Sequence, residues 1–513
     1  MTAKSWALLL GLLVFGGQKA AAFPRLSRPL PAVVLLNGLL ESHWQEQHIN
    51  PAKQASNEAI FRRAMLDLLG RVPTPSEQEA FATNSSPDRF EKAVQQILSG
   101  REFSWYFATV LDDMIQGSAA GNERFLGYLR ESLREHKGWD TIFREVLIGP
   151  WDNEARKPAS VFLESRLKDV DLLTTDVTRS FFGVDISCAR CHNHPLVQDW
   201  KQDHYYGMVA FLVRTGGGKG SVTEKPEGEA KFTRKHGKEQ VAPMMFLTGQ
   251  KIEEPAKPKL PAPNKPPVYS RRAELVKSAM QDKRFLSQAF VNRCWEYLFG
   301  RGLVDPVDQI HSGNPASIPA VFDWLADDFA EHGYDIRRLI ALMVTSRAYR
   351  MDGTSPPGAS APGPEHFAVS RLRPLTPRQY VTSVIIALGD DQYRSTPEQQ
   401  AAIDKRLTEL MPRFDPRTRE FQSSSREALF VSNSDAMAKL FDAKENHLLA
   451  RLKQLPDHRQ RVQAAIMALF GRAPTQAETD HLVKWLTAQT DSKAAVDDLV
   501  WALIASAEFR FNH

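Results

Sequence analysis

Two cysteines and a histidine, Cys188, Cys191 and His192, form a Cys-x-x-Cys-His motif near the middle of a 513-residue chain. At this spacing two thiols can add to the two vinyl groups of one porphyrin. The histidine beside the second thiol then gives its imidazole to the iron as proximal ligand. On a short helix the two cysteines stand one turn apart and face the same way. A sixth ligand is expected from the helix that follows. There Tyr206, Val209, Ala210 and Val213 make one apolar face, while His204 and Met208 share another. Either could approach the iron, and methionine would raise the potential relative to histidine. Met244 and Met245 are more distant candidates.

The same residues support other chemistry. Cys188, Cys191, His194 and His204 make a Cys₂His₂ set that suits tetrahedral zinc, and the second histidine, His194, has no role in the haem reading. Cys188 and Cys191 could also form a local disulfide or a redox pair with a lowered thiolate pKa, although no thioredoxin-like pattern surrounds them. A purely structural turn at His194-Pro195 is the fourth arrangement.

The composition narrows the setting. With only 3 cysteines, a disulfide scaffold is excluded. A net charge of +4, with basic and acidic residues interspersed, gives no basic stripe for nucleic acid. Lys4 followed by the apolar run Trp6–Phe15 and the small residues Gly16–Ala22 reads as a signal peptide, cleaved after Ala22. The run is too short to span a bilayer comfortably, and no later segment approaches the ~20 apolar residues of a membrane helix. The mature protein is expected outside the cytoplasm, in the periplasm or at the cell surface, where bacteria attach haem c. Cys294, in a partly apolar helix, is expected to be buried and inert.

The elements that carry these residues read as helical throughout. Phe61, Met65, Leu68 and Leu69 step at helical spacing. So do Val170, Leu173, Val177 and Phe181, before Gly183 ends their helix, and Leu298–Val304 closes a further helix that begins near Leu286. Trp295 and Trp324 are expected as core anchors. Strand signals are confined to Ser221–Leu247. Two stretches read as linkers: Glu253–Pro267, rich in Pro and Lys, and the flexible loop Gly353–Pro364. The glycine-rich Arg214–Ser221 fails the phosphate-loop pattern, because Gly220 separates Lys219 from Ser221, and it reads as a flexible loop. Four adjacent acid pairs begin at Asp112, Asp327, Asp390 and Asp497; neighbours on a helix point apart, so they are expected on solvated faces.

A weak internal repeat is also visible. Leu69-Gly70-Arg71-Val72-Pro73-Thr74 returns as Phe470-Gly471-Arg472-Ala473-Pro474-Thr475, and each threonine precedes a glutamate, Glu77 or Glu478, at capping-box spacing. Phe299-Gly300-Arg301 is a partial third copy. Each copy is followed by a serine-containing stretch that ends in an aromatic, at Phe103, Tyr349 and Phe509. These read as helix–turn–helix joints whose arginines bind carbonyls at the helix ends.

Long stretches resemble a known pair of domains. FRRAMLDLLGRVPT (Phe61–Thr74), CARCHNHP (Cys188–Pro195) and AFLVR (Ala210–Arg214) resemble the planctomycete cytochrome-c-associated, PSCyt-type domain. VNRCWEYLFGRGLVDPVDQI (Val291–Ile310), DWLADDF (Asp323–Phe329) and LIALMVTSRAYR (Leu339–Arg350) resemble its usual C-terminal partner, the PSD-type domain. The resemblance implies an exported bacterial protein and supplies no reaction.

These readings converge on a mainly α protein of two or more helical domains. Residues 1–22 are the signal peptide, 33–214 the PSCyt-type domain, 215–267 a β-containing insertion and linker, and 268–513 the PSD-type domain. The expected function is an exported haem c protein in electron transfer or a redox accessory role, with other exported redox or surface proteins as partners. A zinc-stabilised, non-catalytic cell-surface scaffold is the alternative, and a hydrolase with unidentified catalytic residues a further one; no enzyme activity is assigned.

Overall fold

A computed structural model describes residues 31–149, 154–218, 221–234, 237–255, 269–355, 361–411 and 447–512. The segment read as a signal peptide lies outside the described residues, as do most of the Pro/Lys-rich linker and the middle of the 353–364 loop. The chain is mainly α-helical, and among the described residues its strands form only two-stranded antiparallel sheets. No described helix is long and apolar enough to cross a membrane.

The periodic segments fold as their spacing dictates. Helices cover Asn57–Leu69, Val170–Phe182 and Arg284–Phe299. The first is capped by the Ser56 side chain and stops at Gly70, whose φ of 70° is left-handed. That glycine is needed twice over, because a Cβ there would lie 2.2 Å from the Tyr106 ring. Trp295 is fully buried, and Trp324 packs partly buried against the same core.

The repeat is a joint built around a buried or half-buried arginine. The capping boxes Thr74/Glu77 and Thr475/Glu478 both form. Each arginine does bind a carbonyl, Val72 for Arg71 and Ala473 for Arg472, both at 3.1 Å. It also grips two carboxylates. Arg71 reaches Glu77 at 2.7 and 2.8 Å and Glu102 at 2.6 and 3.0 Å. Arg472 reaches Glu478 at 2.9 and 2.6 Å and Glu508 at 2.6 and 2.7 Å. Hydrogen bonds from Arg472 pull the Glu478 carboxyl down to about 2. In the partial third copy Arg301 pairs instead with Asp305 at 3.0 Å, and Ala348 stands where the other copies place Glu102 and Glu508.

Two expectations are corrected. The glycine-rich stretch is not a loop: Thr215–Gly218 pairs antiparallel with Ser221–Glu224. A ladder needs only backbone donors and acceptors, so bare glycines suffice. The hairpin is fastened at its far end, where Glu224 accepts from Ser270 at 2.5 Å and from the Arg271 amide at 2.6 Å. The acid pairs are not all solvated either, for Asp112, Asp328 and Asp390 are buried. Neighbours do point apart, and one of each of these pairs points inward. Arg338 meets Asp328 at 2.6 Å and Arg451 meets Asp390 at 2.6 and 2.9 Å. Among the described residues Asp112 accepts from the Gly121 amide alone, at 2.6 Å, on one oxygen, while the other oxygen is buried without a donor. Burial pushes its carboxyl up to about 6.

The apolar residues gather into two cores. The larger runs from Leu36 to Ala368; the smaller joins the helices after Tyr380 and takes Leu66 and Val72 from the first repeat. The Asn57–Leu69 helix therefore serves both, and between them sits Asp67, fully buried. Its Oδ1 accepts from Arg373 at 3.0 Å and Asn512 at 2.9 Å. Its Oδ2 accepts from Arg373 at 2.8 Å and the Tyr349 hydroxyl at 2.7 Å. The Tyr297 hydroxyl donates to its backbone carbonyl at 2.7 Å.

Replacing Asp67 with Ala takes the carboxylate away from the Asn512 amide and from the Arg373 guanidinium, which keeps the Tyr297 carbonyl at 2.8 Å. Thermal and urea unfolding of Asp67→Ala should show a loss of about 3–5 kcal/mol, the cost of breaking a buried pair from one side; a loss below ~1 kcal/mol would refute the central role given to this carboxylate. Asp112 works in the opposite sense. Its native carboxyl titrates above the unfolded value of about 3.9, so its stabilisation is full below that pH and disappears as pH rises through about 6. Asp112→Asn should match the parent near pH 4 and exceed it by about 1–3 kcal/mol near pH 7; an unfolding series across that range checks the sign.

Candidate functional site

The helix Val170–Phe182 delivers the chain to the motif. It ends at Gly183, φ 65°, whose amide closes on the Arg179 carbonyl. A Cβ at Gly183 would lie 2.6 Å from Ile310 Cδ1, so the approach of residues 305–314 requires glycine here. That approach is a backbone splint. Asp185 N donates to the Asp308 carbonyl at 2.8 Å, and Ile310 N donates to the Gly183 carbonyl at 3.0 Å. Ser312 closes it, giving its amide (2.7 Å) and hydroxyl (2.6 Å) to the Asp199 carboxylate. These contacts hold the Asp199 carboxyl below its usual value against the opposing effect of burial.

The motif occupies one turn of 3-10 helix, Ser187–Arg190, continued by Cys191. Such a helix has three residues per turn, so Cys188 and Cys191 eclipse one another. Both are free thiols and exposed. The inward positions, Ile186, Ala189, Val197 and Trp200, are buried and anchor the turn. Polar contacts fix the remainder. Gln202 donates its side chain to the carbonyls of Arg190 (3.1 Å) and Cys191 (3.3 Å), and its amide to Asn193 Oδ1 (3.1 Å). Asp171 meets Arg190 at 2.8 Å and accepts from Tyr205 at 2.6 Å.

The histidines divide by tautomer. His192 is exposed, and its Nδ1 lies 2.6 Å from the Asn193 carbonyl. A carbonyl only accepts, so Nδ1 carries the proton and the neutral ring keeps its lone pair on Nε2. His194 is opposite: its Nδ1 accepts from the amides of Leu196 (3.3 Å) and Val197 (3.0 Å). His204 Nδ1 likewise accepts from the Lys201 amide at 3.2 Å. In their neutral forms both therefore hold a proton on Nε2. Burial, then Lys201, lowers the pKa of His204.

The structure brings Cys188, Cys191 and His192 onto one exposed turn and leaves the other candidates apart from it. Met208 is fully buried in the larger core, Met244 and Met245 are buried, and His204 is half-buried. Among the described residues no three His, Cys, Asp or Glu side chains gather as a metal-holding group, so the set Cys188, Cys191, His194 and His204 is not assembled here. Sequence reasoning missed Asn193, Asp199 and Gln202. Asn193, lying between two histidines, could have been suspected, but the partner of Asp199 is 113 residues away and leaves no local signal.

Residues 36–216 match the model PSCyt2 and residues 271–409 the model PSD1, each described as a protein of unknown function. The chain thus belongs with proteins that carry a PSCyt2 domain followed by a PSD1 domain. No curated protein and no solved structure is significantly similar to it.

The exposures predict a thiol pattern. In the folded, unmodified chain Cys188 and Cys191 should react promptly with Ellman's reagent. Cys294, fully buried and with its thiol pushed up by burial, should react only on unfolding. A time course that releases all three thiols at one rate would contradict this placement.

Proposed function

We propose that this protein is exported and carries haem c, attached at Cys188 and Cys191 with His192 as the iron's proximal ligand, in a redox accessory role. The observation that carries the reading is the division of tautomers. Of the three histidines in the motif region, His192 alone offers an unprotonated Nε2 in its neutral form; His194 and His204 have spent Nδ1 on backbone amides. A zinc site drawing on those two would have to displace a proton from each Nε2 or break their amide contacts. The eclipsed, exposed thiols fit attachment to one porphyrin. The apolar Leu196 beside them, 88% exposed, is suited to lie against such a group.

When bound, the haem would supply one-electron chemistry. The protein's own part is positional. Gln202 and Asn193 hold the turn, and the Asn193 carbonyl fixes the His192 ring with Nε2 outward. Export rests on the N-terminal pattern of Lys4, Trp6–Phe15 and Gly16–Ala22, and it would place the cysteines where bacteria attach haem c.

The test is intact mass and a visible spectrum of the full chain exported from a host with a haem c maturation system. The expected result is one added haem with a Soret band, and loss of the covalent adduct in the double variant Cys188→Ala/Cys191→Ala. Colourless protein of apo mass from a host that matures a control cytochrome would overturn the proposal.

A further inference from the structure

A cleft of about 670 Å³ lies between the two matched segments, beside Trp200 and away from the motif cysteines. This is within the range of about 300–1,000 Å³ usual for small-molecule sites. Its lining comes from Asp199, Trp200 and His204, from Leu247 and Thr248, and from positions between 282 and 323.

The polar groups of the cleft are open to a ligand in both senses. His311 Nδ1 accepts from the Gly313 amide at 3.1 Å, as His204 Nδ1 does from Lys201, so each neutral ring presents an Nε2–H donor. Arg284 lies over the Phe285 ring, 5.4 Å from its centroid, and forms no ion pair among the described residues. Acceptors line the same cleft. Asp323 takes Gln288 Nε2 at 3.2 Å on one oxygen, and Asp282 takes the Phe285 amide at 3.1 Å on one oxygen. Each keeps its other oxygen without a protein donor among the described residues.

The charges select the ligand. Asp199, Asp282 and Asp323 face a single guanidinium, so an anion is repelled. A simple cation would have to lie beside Arg284. A hydroxyl both donates and accepts, and a run of hydroxyls satisfies this mixed set without net charge. We infer that this cleft binds a neutral polyhydroxylated ligand, a saccharide, through its mixed lining of carboxylates, a guanidinium and imidazole N–H groups.

Saturation-transfer NMR on the full chain tests this, with cellotriose, maltotriose, xylotriose, mannotriose and raffinose as neutral probes and spermidine and inorganic phosphate as charged ones. At least one neutral probe should show saturable, salt-insensitive transfer. Asp323→Asn and Arg284→Met, both at exposed positions, should each weaken it about tenfold or more, the worth of a hydrogen bond to a charged group. Circular dichroism on the same samples confirms that both variants fold. Transfer to spermidine or phosphate alone, no transfer to any probe, or saccharide transfer unchanged in both variants would overturn the inference. Haem loading does not enter the measurement, so its outcome is independent of the motif's cofactor.

Discussion

A single buried carboxylate holds the molecule's distant parts in register. Asp67 receives four side-chain hydrogen bonds, from Arg373, Asn512 and Tyr349, and so links a helix near the N-terminus to segments more than 280 residues away. A buried charge is tolerated only when geometry and hydrogen bonding offset its desolvation, which makes every partner position exacting. Burial and then the Asp67 charge keep the Tyr349 hydroxyl protonated, so it stays a donor. The two apolar cores meet around this point, and their shared helix inherits its orientation from it.

The repeated arginine joints solve a smaller version of the same problem. A turn between two helices leaves carbonyls at one end and amides at the next. In each full copy the arginine takes a turn carbonyl, the threonine and the first glutamate cap the following helix, and the second glutamate brings in a later helix. One guanidinium fork thus orders three elements. The partial third copy keeps the glycine and the arginine but lacks the second glutamate, and its arginine settles on the nearby Asp305.

Much of the local structure was legible from spacing, because helices, caps and the left-handed glycines are decided within a few residues. Helical periodicity found the Val170–Phe182 helix and its Gly183 stop, and capping logic found both Thr/Glu boxes. Composition misled at Thr215–Gly218, where glycine suggested flexibility but pairing partners decide strand formation. It misled again at Asp112, Asp328 and Asp390, since adjacency alone does not say which member of a pair faces inward. At the motif the cysteines and His192 were visible from their spacing. The tautomer of each histidine was not, because it depends on which backbone group lies near Nδ1.

The splint across the motif has an evolutionary corollary. The turn that bears Cys188 is completed by Asp308, Ile310 and Ser312, all contributed by the second matched segment. A recombination event that carried residues up to 216 into another gene would transplant the cysteines intact while stripping the backbone partners of Gly183 and Asp185 and the clamp on Asp199. Selection for a rigid motif therefore acts on the two segments as one heritable unit, and the seam between them is a poor place for the gene to be cut.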